Sequence, residues 1–153
     1  MAELWFYHLE RTELERALPP LLEKCLQRGW RALVRGGNSE RLDALDAMLW
    51  TYRDESFLPH AREDAKNAAR QPVLLTTHTG NPNGAKALFL IDGAPFEFGD
   101  SDLARYERAC LMFDGRDEAA LETARVRWKE AKAAGIEASY WKESASGKWE
   151  KQQ

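Results

Sequence analysis

Three short, nearly unbroken apolar runs, each closed by a turn signal, most constrain what this chain can fold into. They are Val73-Leu74-Leu75, Ala87-Leu88-Phe89-Leu90-Ile91 and Ala109-Cys110-Leu111-Met112-Phe113. Gly80-Asn81-Pro82-Asn83-Gly84 follows the first, and Asp92-Gly93 and Asp114-Gly115 close the other two. Apolar runs of this length, without polar alternation, are strands covered on both faces. The aromatic segment from Leu4 to Leu9, the stretch from Trp30 to Val34 and the stretch from Ile136 to Trp141 read as further strands.

Between these runs the apolar period changes to that of a helix. Leu18, Leu21, Leu22, Cys25 and Leu26 mark a first helix ended by Gly29. Thr12 is a candidate start for it, but Pro19 and Pro20 fit best in a first turn, so the helix is expected to begin at the prolines. Gly36-Gly37-Asn38-Ser39 is a turn suited to cap a second helix, which carries Leu42, Leu45, Met48 and Leu49 and runs to about Trp50. Residues 61–70 are mixed and polar. A long helix is expected over about 117–134, stopped by Gly135. Strands alternating with helices predict a three-layer α/β sandwich with a mostly parallel central sheet. No repeat, low-complexity stretch or linker divides the sequence, so 1–153 is expected to be one domain with a polar tail from about 143.

Bulk properties narrow the function. A net charge of −3 argues against gripping DNA with the whole surface, which needs a clear basic excess. The charge is uneven, because residues from Arg125 onward sum to +3 and those before them to −6. Cys25 and Cys110 sit in apolar patterns and read as buried thiols in a reducing cytosol. No signal peptide and no membrane span is expected.

Enzymatic chemistry finds little support. Asp92 and Asp114 end strands where an α/β sheet places its ligands, and two carboxylates could hold a metal. Each precedes a glycine, so a turn explains both more simply. The phosphate-binding patterns G-x-x-x-x-G-K-[ST] and G-x-G-x-x-G are missing, as is the nucleophile elbow G-x-S-x-G. His8, His60 and His78 are too far apart in sequence to form a zinc pair. The reading is of a protein with no catalytic residue, metal or cofactor.

The last long helix is the most informative segment. Asp117, Glu118 and Glu122 stand early and Arg125, Arg127, Lys129 and Lys132 late, an order that complements the helix dipole. Leu121, Ala124, Trp128 and Ala131 form its apolar stripe. Arg125, Trp128, Lys129 and Lys132 share one face at i, i+3, i+4 and i+7. The plain reading is a solvated face. The functional reading is an aromatic wall beside fixed cations, which suits an acidic peptide with an apolar end, and a free terminal carboxylate in particular.

The run Leu49-Trp50…Glu55-Ser56-Phe57-Leu58-Pro59-His60 resembles the chi subunit (HolC) family of bacterial DNA polymerase III. So do Arg125-x-x-Trp128-Lys129, the following Ala134-Gly135-Ile136, and the late Trp141-Lys142. The resemblance covers nearly the whole chain. It implies a Rossmann-like fold without a working nucleotide site, and a non-catalytic cytoplasmic subunit of the clamp-loader assembly. It implies that Arg125 and Lys129 meet the carboxylates of the acidic C-terminal tail of single-stranded DNA-binding protein, and Lys132 joins them by its place on the same helix face. Trp128 would pack on that tail's terminal Phe, where the family commonly has Tyr, and Phe113 would line the same pocket. Trp50 and Phe57 match a second surface, for the psi subunit of the clamp loader or a helicase-like repair protein. DNA would be reached only indirectly. Direct binding of single-stranded nucleic acid by the basic face of the last helix is the alternative.

Overall fold

The computed structural model describes residues 3–51, 59–78, 80–94, 96, 106–146 and 148–152. Their strands are β1 (Glu3–Leu9), β2 (Ala32–Gly36), β3 (His60–Arg62), β4 (Val73–Thr76), β5 (Ala87–Ile91), β6 (Arg108–Asp114), β7 (Ala138–Glu143) and β8 (Trp149–Lys151). The helices are α1 (Leu14–Gln27), α2 (Ser39–Leu49) and α3 (Glu118–Ala133). The strands form one sheet in the order β3-β4-β2-β5-β6-β1-β7-β8, with every pair parallel except β7–β8. No helix among the described residues is long and apolar enough to cross a membrane.

The topology dictates the layering. The β1-to-β2 crossover travels one way along the sheet and the β6-to-β7 crossover travels the other. Right-handed crossovers in opposite directions must place their helices on opposite faces. One core accordingly joins Leu18 and Leu22 of α1 and Leu42, Leu45 and Leu49 of α2 to Tyr7, Val34, Phe89 and Met112. The other joins Ala124 and Ala131 of α3 to Leu4, Phe6, Leu33, Leu88 and Phe113. Alternate residues of the same strands feed the two cores, which explains why the strands are apolar at nearly every position.

Asn38 caps α2 as expected, its side chain accepting from the Arg41 amide at 3.1 Å. The start of α1 differs from expectation: the helix begins at Leu14, and Pro19 and Pro20 lie inside it. Interior prolines cost roughly 3 kcal/mol each in an isolated helix. Here Ala17 and Leu18 before them and Leu22 and Cys25 after them are all buried, so the sheet fixes both halves of the helix.

Thr12 does not cap α1 either. Its amide donates to Glu143 Oε1 at 2.9 Å, beside those of Glu10 at 3.2 Å and Arg11 at 2.8 Å, and its hydroxyl donates to Glu143 Oε2. The expected polar tail is thus structured at its first residue. Beyond it β8 pairs antiparallel with β7, and Trp149 packs edge-on against Tyr7 at 4.8 Å. The segment 61–70, mixed and polar in sequence, contributes most of β3 and a 3₁₀ turn at Ala68–Arg70.

Burial opposes ionisation of Glu143, but the Thr12 hydroxyl and the three amides outweigh it and hold the carboxyl below its usual range. A depressed folded-state value contributes stability above the unfolded value, and that stability is lost as pH falls through the folded one. Glu143→Ala is therefore expected to destabilise the fold by about 1–3 kcal/mol and to flatten the acid limb of stability against pH. Urea unfolding from neutral to acidic pH measures both. A variant as stable as the parent would remove Glu143 as the staple of this loop.

Candidate functional site

The candidate peptide site lies on α3 where it crosses β1 and β7. Asp117 starts α3, its carboxylate accepting from the amides of Ala119 at 3.0 Å and Ala120 at 3.4 Å. Ala124 and Ala131 are buried, and Leu121 and Trp128 are partly buried against the same core. The small alanines bring the helix close to the sheet. Trp128 therefore lies at the edge of the apolar stripe, with Arg125, Lys129 and Lys132 exposed around it.

Beneath Trp128 is a cluster of rings from three strands. The Trp128 ring meets Phe6 at 5.3 Å and Tyr140 at 5.8 Å, both edge-to-face. Tyr140 lies 6.2 Å from Phe113 and 5.9 Å from His8, and His8 lies 5.1 Å from Phe113. Strand register produces this cluster, because His8 pairs with Phe113 and Phe6 with Tyr140 across parallel ladders. Such contacts lock ring orientation as well as burying area. Lys132 Nζ sits 4.8 Å from the Trp128 ring centroid, a cation–π contact.

The cations above the rings are weakly committed. Arg125 reaches Glu122 at 3.8 Å, and both side chains are mostly exposed. Such a pair contributes little. Among the described residues no carboxylate forms an ion pair with Lys129 or Lys132. The face therefore offers three cations and an immobilised aromatic edge to an incoming anion.

The sequence names the α3 residues and Phe113 as candidates but not Tyr140, His8 and Lys142, which become their neighbours only when β7 is laid beside β1. Tyr140 Oη and His8 Nδ1 are 2.7 Å apart. His8 Nε2 is within 3.3 Å of Glu10 Oε1, though not aligned for a hydrogen bond, and Lys142 Nζ reaches the same oxygen at 3.2 Å. A Cβ at Gly115 would lie 1.8 Å from His8 Nε2, so this ring position requires glycine there.

Trp50, at the C-terminal end of α2, is 52% exposed and packs on the His60 ring at 4.3 Å. That is far more exposure than a core tryptophan has. Phe57, and the block 52–58 that accompanies it, lies outside the described residues. Trp50 and the α3 face sit on helices from opposite sides of the sheet.

A cavity of about 800 Å³ opens at the carboxyl ends of β1, β5 and β6 and contains Asp92 and Asp114. Arg41 contacts Asp92 at 3.4 Å and Glu15 at 3.2 Å, and Arg116 contacts Asp114 at 2.9 Å. Hydrogen bonding from Arg116 holds the Asp114 carboxyl below its ordinary value. Both acids are thus engaged in turns and ion pairs. No group of three or more His, Cys, Asp or Glu among the described residues is placed to hold a metal.

Comparison with known proteins gives the family. The family model described as "DNA polymerase III chi subunit, HolC" matches residues 1–139. The chain belongs to the DNA polymerase III chi subunit family. A curated relative, "Probable DNA polymerase III subunit chi" of Rickettsia prowazekii (strain Madrid E), is 29% identical over 91 residues. That match covers 60% of this chain and spans 55% of the relative's length. Among solved structures, the C-terminal domain of the DEAD-box protein Dbp5 superposes with a TM-score of 0.57 at 14% identity, covering 92% of this chain and 91% of that one. At that identity the likeness speaks for the fold alone. The chi-family chain is thus an α/β protein with a Rossmann-like, mostly parallel sheet.

His8 supplies a pH test of the ring cluster. Burial lowers its affinity for a proton, Glu10 pulls the other way, and Lys142 and Arg125 reinforce burial, with Asp114 opposing. Its NMR titration midpoint is expected below 6.5. The unfolded chain then binds the proton more readily, so stability declines as pH falls from 6.5 toward the folded value. A midpoint above 6.5 would contradict a buried, neutral imidazole.

Proposed function

We propose that this chain is a non-catalytic, cytoplasmic accessory subunit of the clamp-loader assembly of the replicative DNA polymerase, folded as one domain over 1–153. Its α3 face binds the acidic C-terminal tail of single-stranded DNA-binding protein. One observation carries this reading: Trp128 is held edge-on against Phe6 and Tyr140 while Arg125, Lys129 and Lys132 ring it in solvent. The cations hold carboxylates, and Arg125 can do so bidentately. Trp128, with Phe113 in the floor beside it, takes the apolar end of the peptide. Membership of the family supports the same partner class.

A second surface centred on Trp50, with Phe57 in the adjacent segment, binds the psi subunit or a helicase-like repair protein. Exposed tryptophan is what interface cores favour over ordinary surface. The two surfaces together make a tether. Tails on coated single-stranded DNA are numerous, and holding one raises the effective concentration of the assembly at the template without chemistry.

Calorimetric titration with an acidic peptide ending in Phe tests the first surface. Saturable binding is expected, weakening with salt. Removing the terminal Phe should abolish it, and Arg125→Ala or Lys129→Ala should each weaken it about ten-fold, the loss of one charge-assisted hydrogen bond. Trp50→Ala should leave it unchanged. No binding at low salt would reject the α3 reading. Loss of oligonucleotide affinity, with no peptide binding, in the same α3 variants would favour nucleic-acid binding by that face instead.

A further inference from the structure

Four of the six tryptophans are used by neither proposed surface. Trp5, Trp30, Trp141 and Trp149 all lie, partly exposed, along one open groove of about 900 Å³. All four pack on the core beneath α1 and α2, so the groove is on the face of the sheet opposite α3. It runs between α1 and the β7–β8 hairpin, over β1 and β6.

The groove is built around an alternating stack. Trp141 stacks on Trp5 at 5.0 Å with a 19° interplanar angle. The Arg108 guanidinium lies 3.9 Å from the Trp5 centroid and 5.6 Å from that of Trp30. Arg28 lies 5.2 Å from the Trp30 centroid. Arg108 Nε is buried without a hydrogen-bond partner. Planar guanidinium held between rings has its faces satisfied by π contact and its N–H edges left to donate.

The charge in the groove lining is predominantly positive, with the Glu3 carboxylate, which accepts from the Trp5 indole N–H at 3.1 Å, lying outside that lining. Arg16, Lys24 and Lys148 join Arg28 and Arg108 in the lining, and none of these five forms an ion pair among the described residues. The one acid in the described lining, Glu143, already accepts from the Thr12 hydroxyl and three amides. A chain with net charge −3 thus concentrates unpaired cations where it also concentrates flat aromatic rings.

We propose that this groove binds a segment of single-stranded nucleic acid, with phosphates on the cations and a base stacking on the outer face of Trp141, the open end of the Trp141–Trp5 pair. An acidic peptide shares the charge, but it has no use for a stacked indole pair continued by guanidinium groups and a third tryptophan. Strands without a partner expose base faces at every nucleotide, and aromatic rings interleaved with cations are the chemistry that recognises them. Duplex would offer phosphates and no free faces. The reading adds a direct contact to the template, independent of the peptide site on α3.

The test is fluorescence anisotropy with a labelled thymidine oligonucleotide of about 12 nucleotides, at about 50 mM salt and upward, on the full chain. Saturable binding accompanied by quenching of tryptophan emission is expected. Four phosphates engaged would give a slope of about −3 in log affinity against log salt. The doubly reversed variant Arg16→Glu, Lys24→Glu lies on the exposed side of α1 and should weaken binding more than ten-fold with the thermal transition unchanged. Arg108→Lys keeps the charge but loses the planar stack, and should weaken it several-fold. Arg125→Ala and Lys129→Ala should have no effect. Absence of binding at low salt would overturn the proposal, as would binding lost through the α3 variants alone. Equal affinity for a polyglutamate peptide, lost in the same α1 variant, would overturn it in favour of an acidic protein partner.

Discussion

Hydrogen bonding along both edges of β1 is the constraint on which the rest of the structure depends. The first strand in the sequence is not at an edge of the sheet but between β6 and β7, parallel to both. It can reach that position only if the chain returns to it twice, from β5 into β6 and then over it into β7. Each return places a different layer on it: α1 covers the Tyr7 and Leu9 face, and α3 covers the Leu4 and Phe6 face. His8, at the carboxyl end, contacts Tyr140 on one neighbour and Phe113 on the other. Glu143 then fixes the turn that leaves β1 by collecting three amides and a hydroxyl. Strand, turn and both faces are therefore set by pairing that is long-range in sequence.

This explains which parts of the fold were legible in the residues. Strands covered on both sides announce themselves, so β4, β5 and β6 are found within a few residues of their observed ends. The cap of α2 within the turn 36–39 is local chemistry and was readable, whereas Asp117, read as a first-turn acid of α3, is its N-cap. The two prolines mislead because their penalty is local, whereas the burial of Leu18 and Leu22 that overrides it is tertiary. β3 and β8 are short, polar strands at the two edges of the sheet. Their hydrogen bonds come from a partner strand, and no periodic apolar pattern marks them. The tail beyond 143 reads as polar, yet Trp149 anchors it to Tyr7.

The candidate site divides in the same way. Arg125, Trp128, Lys129 and Lys132 share a helix face, and helical spacing alone brings them together. The floor of Phe6, Phe113 and Tyr140 comes from three strands, and only Phe113 was legible beforehand, through resemblance. All six tryptophans lie at surfaces of the described structure: one on α3, one at the end of α2 and four in the α1 groove. The sequence announces the aromatic excess. Its partition between the two sides of the sheet, Trp128 with α3 and the other five on the α1 and α2 side, is a property of the topology, because α1 and α3 must take opposite sides.

The central claim is that α3 and the rings beneath it form one recognition surface for an acidic, aromatic-ended peptide. Amide and aromatic chemical-shift mapping during titration with such a peptide tests it most directly. The account predicts saturating shifts at 125–132 of α3 and at the rings of Trp128, Phe113 and Tyr140, with Trp50 and the α1 groove unmoved. Shifts centred on Trp50 or on Trp5 and Trp30, or no shifts at low salt, would contradict it.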